Sequence, residues 1–167
     1  MDLILLIILL LLLSVIAYQD VKERQVSWIL FPLAAVLSVI NSQYIISLNE
    51  LVLHFFVNVL VVGVLVICLI GYIYLRFKDS GTRLWNYLGL GDVLFFLVIA
   101  CSFSSINFIL FTILSLILVI LASLFQSSKM RTVPLAGYQA LCLILFLIIQ
   151  RIFSLNSFND YWIYQWI

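Results

Sequence analysis

Long runs of apolar residues, separated by short polar segments, dominate the hydrophobic pattern of this chain. A bilayer core about 30 Å thick needs roughly 20 apolar residues for each helical crossing. Because lipid cannot satisfy backbone hydrogen bonds, spanning segments are helices or closed barrels, and unbroken apolar runs favour helices over the alternating strands of a barrel. The pattern therefore predicts an all-α, polytopic membrane protein with six transmembrane helices.

Most of the spans coincide with single apolar runs, namely Leu3–Tyr18, Ser27–Ile46, Leu51–Leu75 and Pro134–Phe153. The run Asp92–Phe125 would form a helix of about 51 Å, which is too long for one span. A polar cluster between Ser102 and Asn107 predicts a tight turn there, and hence two short spans. The short fourth span would place Asp92 below the membrane surface. The segment 154–167 is rich in Tyr and Trp and is expected to form an aromatic tail at the lipid–water interface.

Basic residues predict the orientation of the chain. Cytoplasmic loops carry the excess of Lys and Arg in membrane proteins. Of the eight basic residues, all except Arg151 fall on one predicted face, and Arg151 lies at the far end of the sixth span. The face with the other basic residues is therefore predicted to be cytoplasmic, and both termini are predicted to lie outside. The start Met1-Asp2 lacks a basic n-region, which favours a true first span over a signal peptide. One membrane-embedded domain, 1–167, is expected. The basic residues on the predicted cytoplasmic face are Lys22, Arg24, Arg76, Lys78, Arg83, Lys129 and Arg131.

Composition agrees with a membrane protein and excludes several other classes. The chain is 66% hydrophobic and 9% charged, whereas a typical soluble domain has roughly 25% charged residues. A soluble fold cannot bury that much apolar surface, and disorder requires low hydrophobicity. A net charge of +1 without a basic stripe argues against nucleic-acid binding. The lipid bilayer is therefore an expected partner.

Cysteine and histidine do not predict a metal or cofactor site. Cys68, Cys101 and Cys142 are far apart in the chain and form no Cys-x-x-Cys pair, so small buried side chains are the simpler interpretation. His54 lies near the outer end of the third span, where packing or an interfacial hydrogen bond is expected rather than a proton relay. A Ser-His-Asp triad is excluded because the acids discussed next are predicted at the opposite face.

Two of the seven acidic residues, Asp20 and Asp92, fall at cytoplasmic ends of predicted spans. The topology puts them at similar depth on one face, and carboxylates at a membrane edge are costly unless they interact or take part in chemistry. Each also has a structural interpretation. Asp20 could simply mark the end of a span, and Asp92, after Gly91, could cap a helix N-terminus.

The residues around these aspartates form motifs. Asp20 opens the segment DVKERQVSW, Asp92 closes GLGD, and TVPLAG precedes the last span. Over nearly its whole length the chain resembles the type IV prepilin peptidase and preflagellin peptidase family, which are membrane aspartyl proteases with a GxGD motif. The positions that match this pattern are Asp20, Lys22, Arg24, Val26, Gly89, Gly91, Asp92 and Pro134.

The chain also departs from the family pattern. Ser27 replaces the proline that usually follows the first aspartate motif, and Leu94 stands where many members have lysine. The segment VPLAG lacks the usual Gly-Pro. The Cys-rich domain of larger bacterial members does not occur in this chain, so the resemblance is to a short form and methyltransferase activity is not implied.

The resemblance implies an intramembrane aspartyl endopeptidase whose catalytic residues are Asp20 and Asp92. Its substrates would be prepilin-like, pseudopilin or archaellin precursors. The enzyme would remove their basic leader peptide at the cytoplasmic face of a prokaryotic cytoplasmic (inner) membrane, without a cofactor. The residues expected to bind substrate or shape the nearby loops are Lys22, Arg24, Gly89, Gly91 and Pro134.

Two carboxylates divide the chemistry of amide hydrolysis. An ionised one takes a proton from water, while a protonated one donates a hydrogen bond to the scissile carbonyl. A helix N-terminus favours an anion and a C-terminus disfavours it, so Asp92 is predicted to be the base and Asp20 to hold the proton. Gly89 and Gly91 are expected to permit positive φ and close backbone approach. The loop Arg76–Leu88 is expected to move Asp92 towards Asp20 when substrate binds.

Two other classes of function are also compatible with the sequence. The chain could be a catalytically inactive membrane scaffold related to the family, which Ser27 and Leu94 favour. It could also be an ion-coupled transporter that uses Asp20 and Asp92 as cation sites. The near absence of charge inside the predicted spans disfavours the transporter.

Overall fold

A computed structural model describes residues 3–77, 89–124 and 134–160. Across these ranges the chain forms six helices and no strand, which confirms the predicted all-α class for the described part. The helices, numbered here in chain order, are α1 (Leu3–Glu23), α2 (Leu30–Gln43), α3 (Leu48–Phe77), α4 (Leu90–Ala100), α5 (Ser105–Leu124) and α6 (Leu135–Phe153).

Four of these helices are long and apolar enough to cross a membrane. They are α1, most of α3, α5 and α6. Much of their surface points outward, and only 11% of the most apolar window of α3 is buried. Outward-facing side chains such as Leu53, Leu60 and Ile67 are large and apolar, which is typical of helices in contact with lipid. The fold is therefore that of a multi-pass helical membrane protein.

Helices α2 and α4 are shorter than predicted spans two and four. They have 14 and 11 residues, or about 21 and 16 Å of helix, less than a bilayer core. The predicted span Ser27–Ile46 is helical only in its middle because turns flank it. The N–H of Leu30 bonds to the carbonyl of Ser27 at one end, and that of Ile45 to Ser42 at the other.

The predicted tight turn between the fourth and fifth helices is confirmed. Helix α4 ends at Ala100 and α5 begins at Ser105. The fully buried side-chain amide of Asn58, from α3, donates to the carbonyls of Ala100 and Phe103, both at 3.0 Å. These bonds satisfy one carbonyl that the end of α4 leaves without a helical partner and one carbonyl of the turn.

Helices α1 and α6 pack against each other along their lengths in opposite directions. At one end Asp20 contacts Gly137, and at the other Leu9 and Leu147 line the same small cavity. Between these ends the interface is filled by apolar side chains such as Leu13. Helix α4 packs against α2, α3 and α6. Its first turn lies beside the first turn of α6, because Asp92 accepts the N–H of Ala136.

The described part of the predicted aromatic tail folds back onto the start of α5. The side-chain amide of Asn107 donates to the carbonyls of Ser157 and Asn159. Phe158 is buried, and its ring lies 6.2 Å from that of His54. Residues 161–167 of the predicted tail lie outside the described part of the chain.

Candidate active site

Asp20 lies in the last turn of α1. The helix continues past the predicted end of span one at Tyr18 and finishes at Glu23. Arg24 follows with a φ of 57°, in the left-handed region that often terminates helices, and its N–H bonds to the carbonyl of Asp20. The side chain of Asp20 is half-buried.

Asp92 lies in the first turn of α4. The suggestion that it is the N-cap residue is wrong, because Gly89 holds that position with the extended backbone a cap requires (φ −68°, ψ 142°). Asp92 is already helical, and its Oδ2 accepts the N–H of Gly89 at 3.2 Å. The carboxylate therefore caps α4 from inside the helix.

The first turn of α6 brings the two carboxylates together. The N–H of Gly137 donates to Asp20 Oδ2 at 2.6 Å, and the N–H of the preceding residue, Ala136, donates to Asp92 Oδ1 at 3.0 Å. The first N–H groups of a helix have no partner within it, and the positive end of the helix dipole favours anions. The two aspartates are near enough to interact electrostatically.

Ala136 and Gly137 are the site residues that the sequence analysis missed, although both lie in the TVPLAG motif. Their contribution is a backbone N–H, which no side-chain pattern reveals. The available sequence cue is Pro134, because proline often precedes a helix whose first N–H groups are free. Pro134 is the N-cap residue of α6, with a φ of −75°.

The two glycines of GLGD are not explained by positive φ. Gly89 has a φ of −68°, and Gly91 is helical, so that expectation is wrong. Space is the remaining reason. A Cβ on Gly89 would lie 3.2 Å from Asp92 Oδ2, and one on Gly91 would lie 3.4 Å from Cζ of Phe31.

The basic residues at the end of α1 differ in their relation to the carboxylates. Arg24 interacts electrostatically with Asp20. Lys22 is exposed, donates to the hydroxyl of Tyr18 and lies 4.8 Å from the centre of its ring. Lys22 thus contacts Tyr18 through its ammonium group.

Two of the positions that depart from the pattern of the resembled family, Ser27 and Leu94, have ordinary structural roles. The N–H of Ser27 donates to the side chain of Gln19 at 3.0 Å. Leu94 packs against the hydrophobic core. Neither position therefore carries an additional charged group near the aspartates.

Several predicted features lie outside the described residues. They are Lys78, Arg83, Lys129 and Arg131, the first two residues of TVPLAG, and the part of the proposed mobile loop from residue 78 to residue 88.

His54 lies far from the aspartates. Its Nδ1 accepts the N–H of Ser105, at the start of α5, and contacts the hydroxyl of the same residue at 3.1 Å. Within residues 3–77, 89–124 and 134–160, no group of three His, Cys, Asp or Glu side chains could hold a metal ion. Cys68, Cys101 and Cys142 are free thiols.

The arrangement can perform acid–base chemistry. Two half-buried carboxylates from different helices share one helix N-terminus, and like charges held this close favour sharing a proton. A pair with one proton can accept a proton from water and donate a hydrogen bond to a carbonyl. Comparison of the chain with family models, curated proteins and solved structures found no match.

Proposed function

We propose that this protein is an intramembrane aspartyl endopeptidase that removes basic leader peptides from type IV prepilin-like precursors. One observation supports this most strongly. Asp20 and Asp92, the two aspartates that the motifs single out, accept hydrogen bonds from adjacent residues at the start of α6. A role in capping a single helix requires only one carboxylate, whereas amide hydrolysis by an aspartyl protease requires two.

The proposed division of labour makes Asp92 the base. Its carboxylate accepts two backbone N–H groups, from Gly89 and Ala136, whereas that of Asp20 accepts one, from Gly137. Burial opposes ionisation of both carboxylates, and the hydrogen bonds from N–H groups partly offset it, twice at Asp92 and once at Asp20. The proton therefore belongs to the pair, and infrared titration of the separate Asn variants tests which carboxylate holds it. Preferential protonation of Asp92 would refute this assignment.

We also propose six spans with both termini outside, in a prokaryotic cytoplasmic membrane. Lys22 and Arg24 follow directly after Asp20, whereas Arg151 lies at the opposite end of α6. The positive-inside rule then puts the aspartates on the cytoplasmic side. Alkaline phosphatase fused to the C-terminus should be active in the bacterial periplasm. Activity only of a cytoplasmic reporter at that position would overturn this orientation.

Coexpression with prepilin-like precursors tests the activity. The parent chain should shorten a precursor by its leader, and Asp20→Asn and Asp92→Asn should each abolish the shortening. Glu23→Gln is the matched control, because Glu23 is an exposed acid in the same turn of α1 as Asp20. Processing should survive that change. Undiminished processing by either aspartate variant would refute the proposal.

An inactive scaffold is the second candidate. The bond from Gly89 to Asp92 is an ordinary helix cap, which a purely structural carboxylate would also make. A scaffold would leave every tested precursor at full length while still associating with it in the membrane. A transporter would instead show cation flux in reconstituted vesicles, lost in both Asn variants.

A further inference from the structure

A second group of polar side chains lies inside the helix bundle, at the end opposite the aspartates. It lines a small cavity of about 20 Å³. Each of its polar side chains is more than nine-tenths buried. They come from α2, from the turn before α5, from α6 and from the segment after it, and are Ser38, Asn41, Ser42, Ser102, Gln150 and Ser157.

Two atoms of this cavity have no hydrogen-bond partner among the described residues. They are the hydroxyl of Ser38 and the side-chain oxygen of Asn41, in residues that are 2% and 5% exposed. Leaving such buried groups unpaired is costly, and it is costlier still in a bundle surrounded by lipid. Both atoms line the same cavity, so one bound molecule can pair with both.

The remaining polar groups complete a set of donors and acceptors. Ser42 donates its hydroxyl proton to the backbone carbonyl of Cys101, and Ser102 donates its own to another backbone carbonyl. The two hydroxyl oxygens are therefore available as acceptors. Ser157 accepts the amide of Gln150, so its own proton is available to donate. The cavity thus offers donors from two hydroxyls and acceptors from an amide oxygen and two hydroxyls.

The size of the cavity identifies the ligand. About 10–15 Å³ of cavity suffices for one water molecule, provided that two to four polar partners surround it. The cavity meets both conditions and is too small for a lipid headgroup or a peptide. We propose that it is a binding site for one internal water, which accepts from the hydroxyl of Ser38 and donates to the oxygen of Asn41 and to a neighbouring serine oxygen. The water ties α2 to the elements that form the rest of the cavity.

Thermal unfolding of the full chain in detergent tests this site, because a bound water and a dry cavity predict opposite shifts in the melting temperature of Ser38→Val. Ser38→Val fills the cavity with apolar atoms and leaves the Asn41 oxygen unpaired. The melting temperature should fall by about 3 °C or more relative to the control Ser14→Val, an exposed helical serine on α1. A dry cavity would give the opposite result, because filling it would leave the melting temperature unchanged or raise it.

The double variant separates loss of water from overpacking. Adding Asn41→Leu removes the unpaired oxygen, so it should recover part of the lost melting temperature, whereas overpacking would lower it further. A crystal structure of the parent chain provides the direct observation. One ordered peak within about 2.7–3.2 Å of both atoms is expected, and a direct bond between Ser38 and Asn41 without that peak would overturn the proposal. Neither the melting temperatures nor the crystal structure depends on proteolysis, so both tests of the water site are independent of the proposed function.

Discussion

Asp20 and Gly137 lie so close together that a Cβ at position 137 would make unusually tight contacts. The N–H of Gly137 lies 2.6 Å from Asp20 Oδ2. A Cβ on Gly137 would lie 3.0 Å from Asp20 Cβ and 3.1 Å from both Oδ2 and Cγ2 of Val21. The close packing of α1 on the start of α6 thus depends on a glycine, and this packing holds the first carboxylate at the shared helix N-terminus.

Substitution of Gly137 should damage the site and the fold together. Gly137→Ala requires Asp20 and Val21 to move by a few tenths of an ångström, and we expect the free energy of unfolding to fall by about 1–3 kcal/mol, the usual cost of overpacking. Leader removal should slow by up to about tenfold, because a displacement of about 1 Å at reacting groups costs about 10²-fold and the expected shift is smaller. Denaturant unfolding in detergent and initial cleavage rates measure the two effects.

The matched control for Gly137→Ala is Gly63→Ala. Gly63 lies in α3, and a Cβ there would meet nothing within 4 Å. This change should stabilise the helix by up to about 1 kcal/mol. Equal effects of the two substitutions would contradict the interpretation of Gly137.

The two glycines of GLGD should respond differently to alanine. In Gly89→Ala the new Cβ meets the carboxylate of Asp92, a movable side chain, so stability should change by less than about 1 kcal/mol. Cleavage should nevertheless slow, because that carboxylate is displaced. In Gly91→Ala the Cβ makes nearly ordinary contact with the ring of Phe31, and most activity should remain. Cleavage rates at equal amounts of membrane-inserted protein test this order, and a greater loss in Gly91→Ala would refute it.

Alanine at the two aspartates should reveal how many backbone groups each carboxylate satisfies. Asp92→Ala leaves the N–H groups of Gly89 and Ala136 without an acceptor, whereas Asp20→Ala affects only that of Gly137. Each unpaired group costs about 1–3 kcal/mol when buried, so the partly buried N–H groups of Ala136 and Gly137 should cost similar amounts. The exposed N–H of Gly89 adds a smaller cost, so Asp92→Ala should be the more destabilising change by less than about 1 kcal/mol. Thermal unfolding of the purified variants gives the comparison.

Asparagine at the same positions separates folding from catalysis. The amide oxygen can still accept one backbone N–H group, which preserves the single bond of Asp20 and one of the two bonds of Asp92. Asp20→Asn should therefore be more stable than Asp20→Ala, and Asp92→Asn should recover part of the stability that Asp92→Ala loses. Cleavage should nonetheless fall by about 10²-fold or more, because an amide cannot exchange the proton. An Asp20→Asn variant that is as unstable as Asp20→Ala would show that the negative charge itself holds the helices together.

Asn58 should be essential for the turn between α4 and α5. Asn58→Leu leaves the carbonyls of Ala100 and Phe103 without their donor. We expect a loss of about 2–4 kcal/mol in the free energy of unfolding, since two buried acceptors lose their partner. Asn49→Leu, at an exposed position in the first turn of α3, is the control and should change stability by less than about 0.5 kcal/mol. A loss no larger than that of the control would contradict this role.

Local patterns in the sequence determined the helical elements and the two carboxylates. Apolar runs and the polar cluster between Ser102 and Asn107 sufficed to predict an all-helical chain and a turn, because hydrophobicity and turn chemistry act over a few neighbouring residues. The charge pattern and the motifs singled out Asp20 and Asp92. Helix ends were less accurate, as in α2, because turns at its ends depend on individual hydrogen bonds.

Tertiary structure decided how the carboxylates are held. The contact between Asp20 and Gly137 joins residues 117 positions apart, and the donors of the site are backbone groups of α6. No periodicity encodes such a contact, because the peptide N–H is the same at nearly every residue and only helix packing selects the two that are used. The same holds for the buried polar cavity, whose side chains are ordinary serines and amides until the folded bundle places them around one small space.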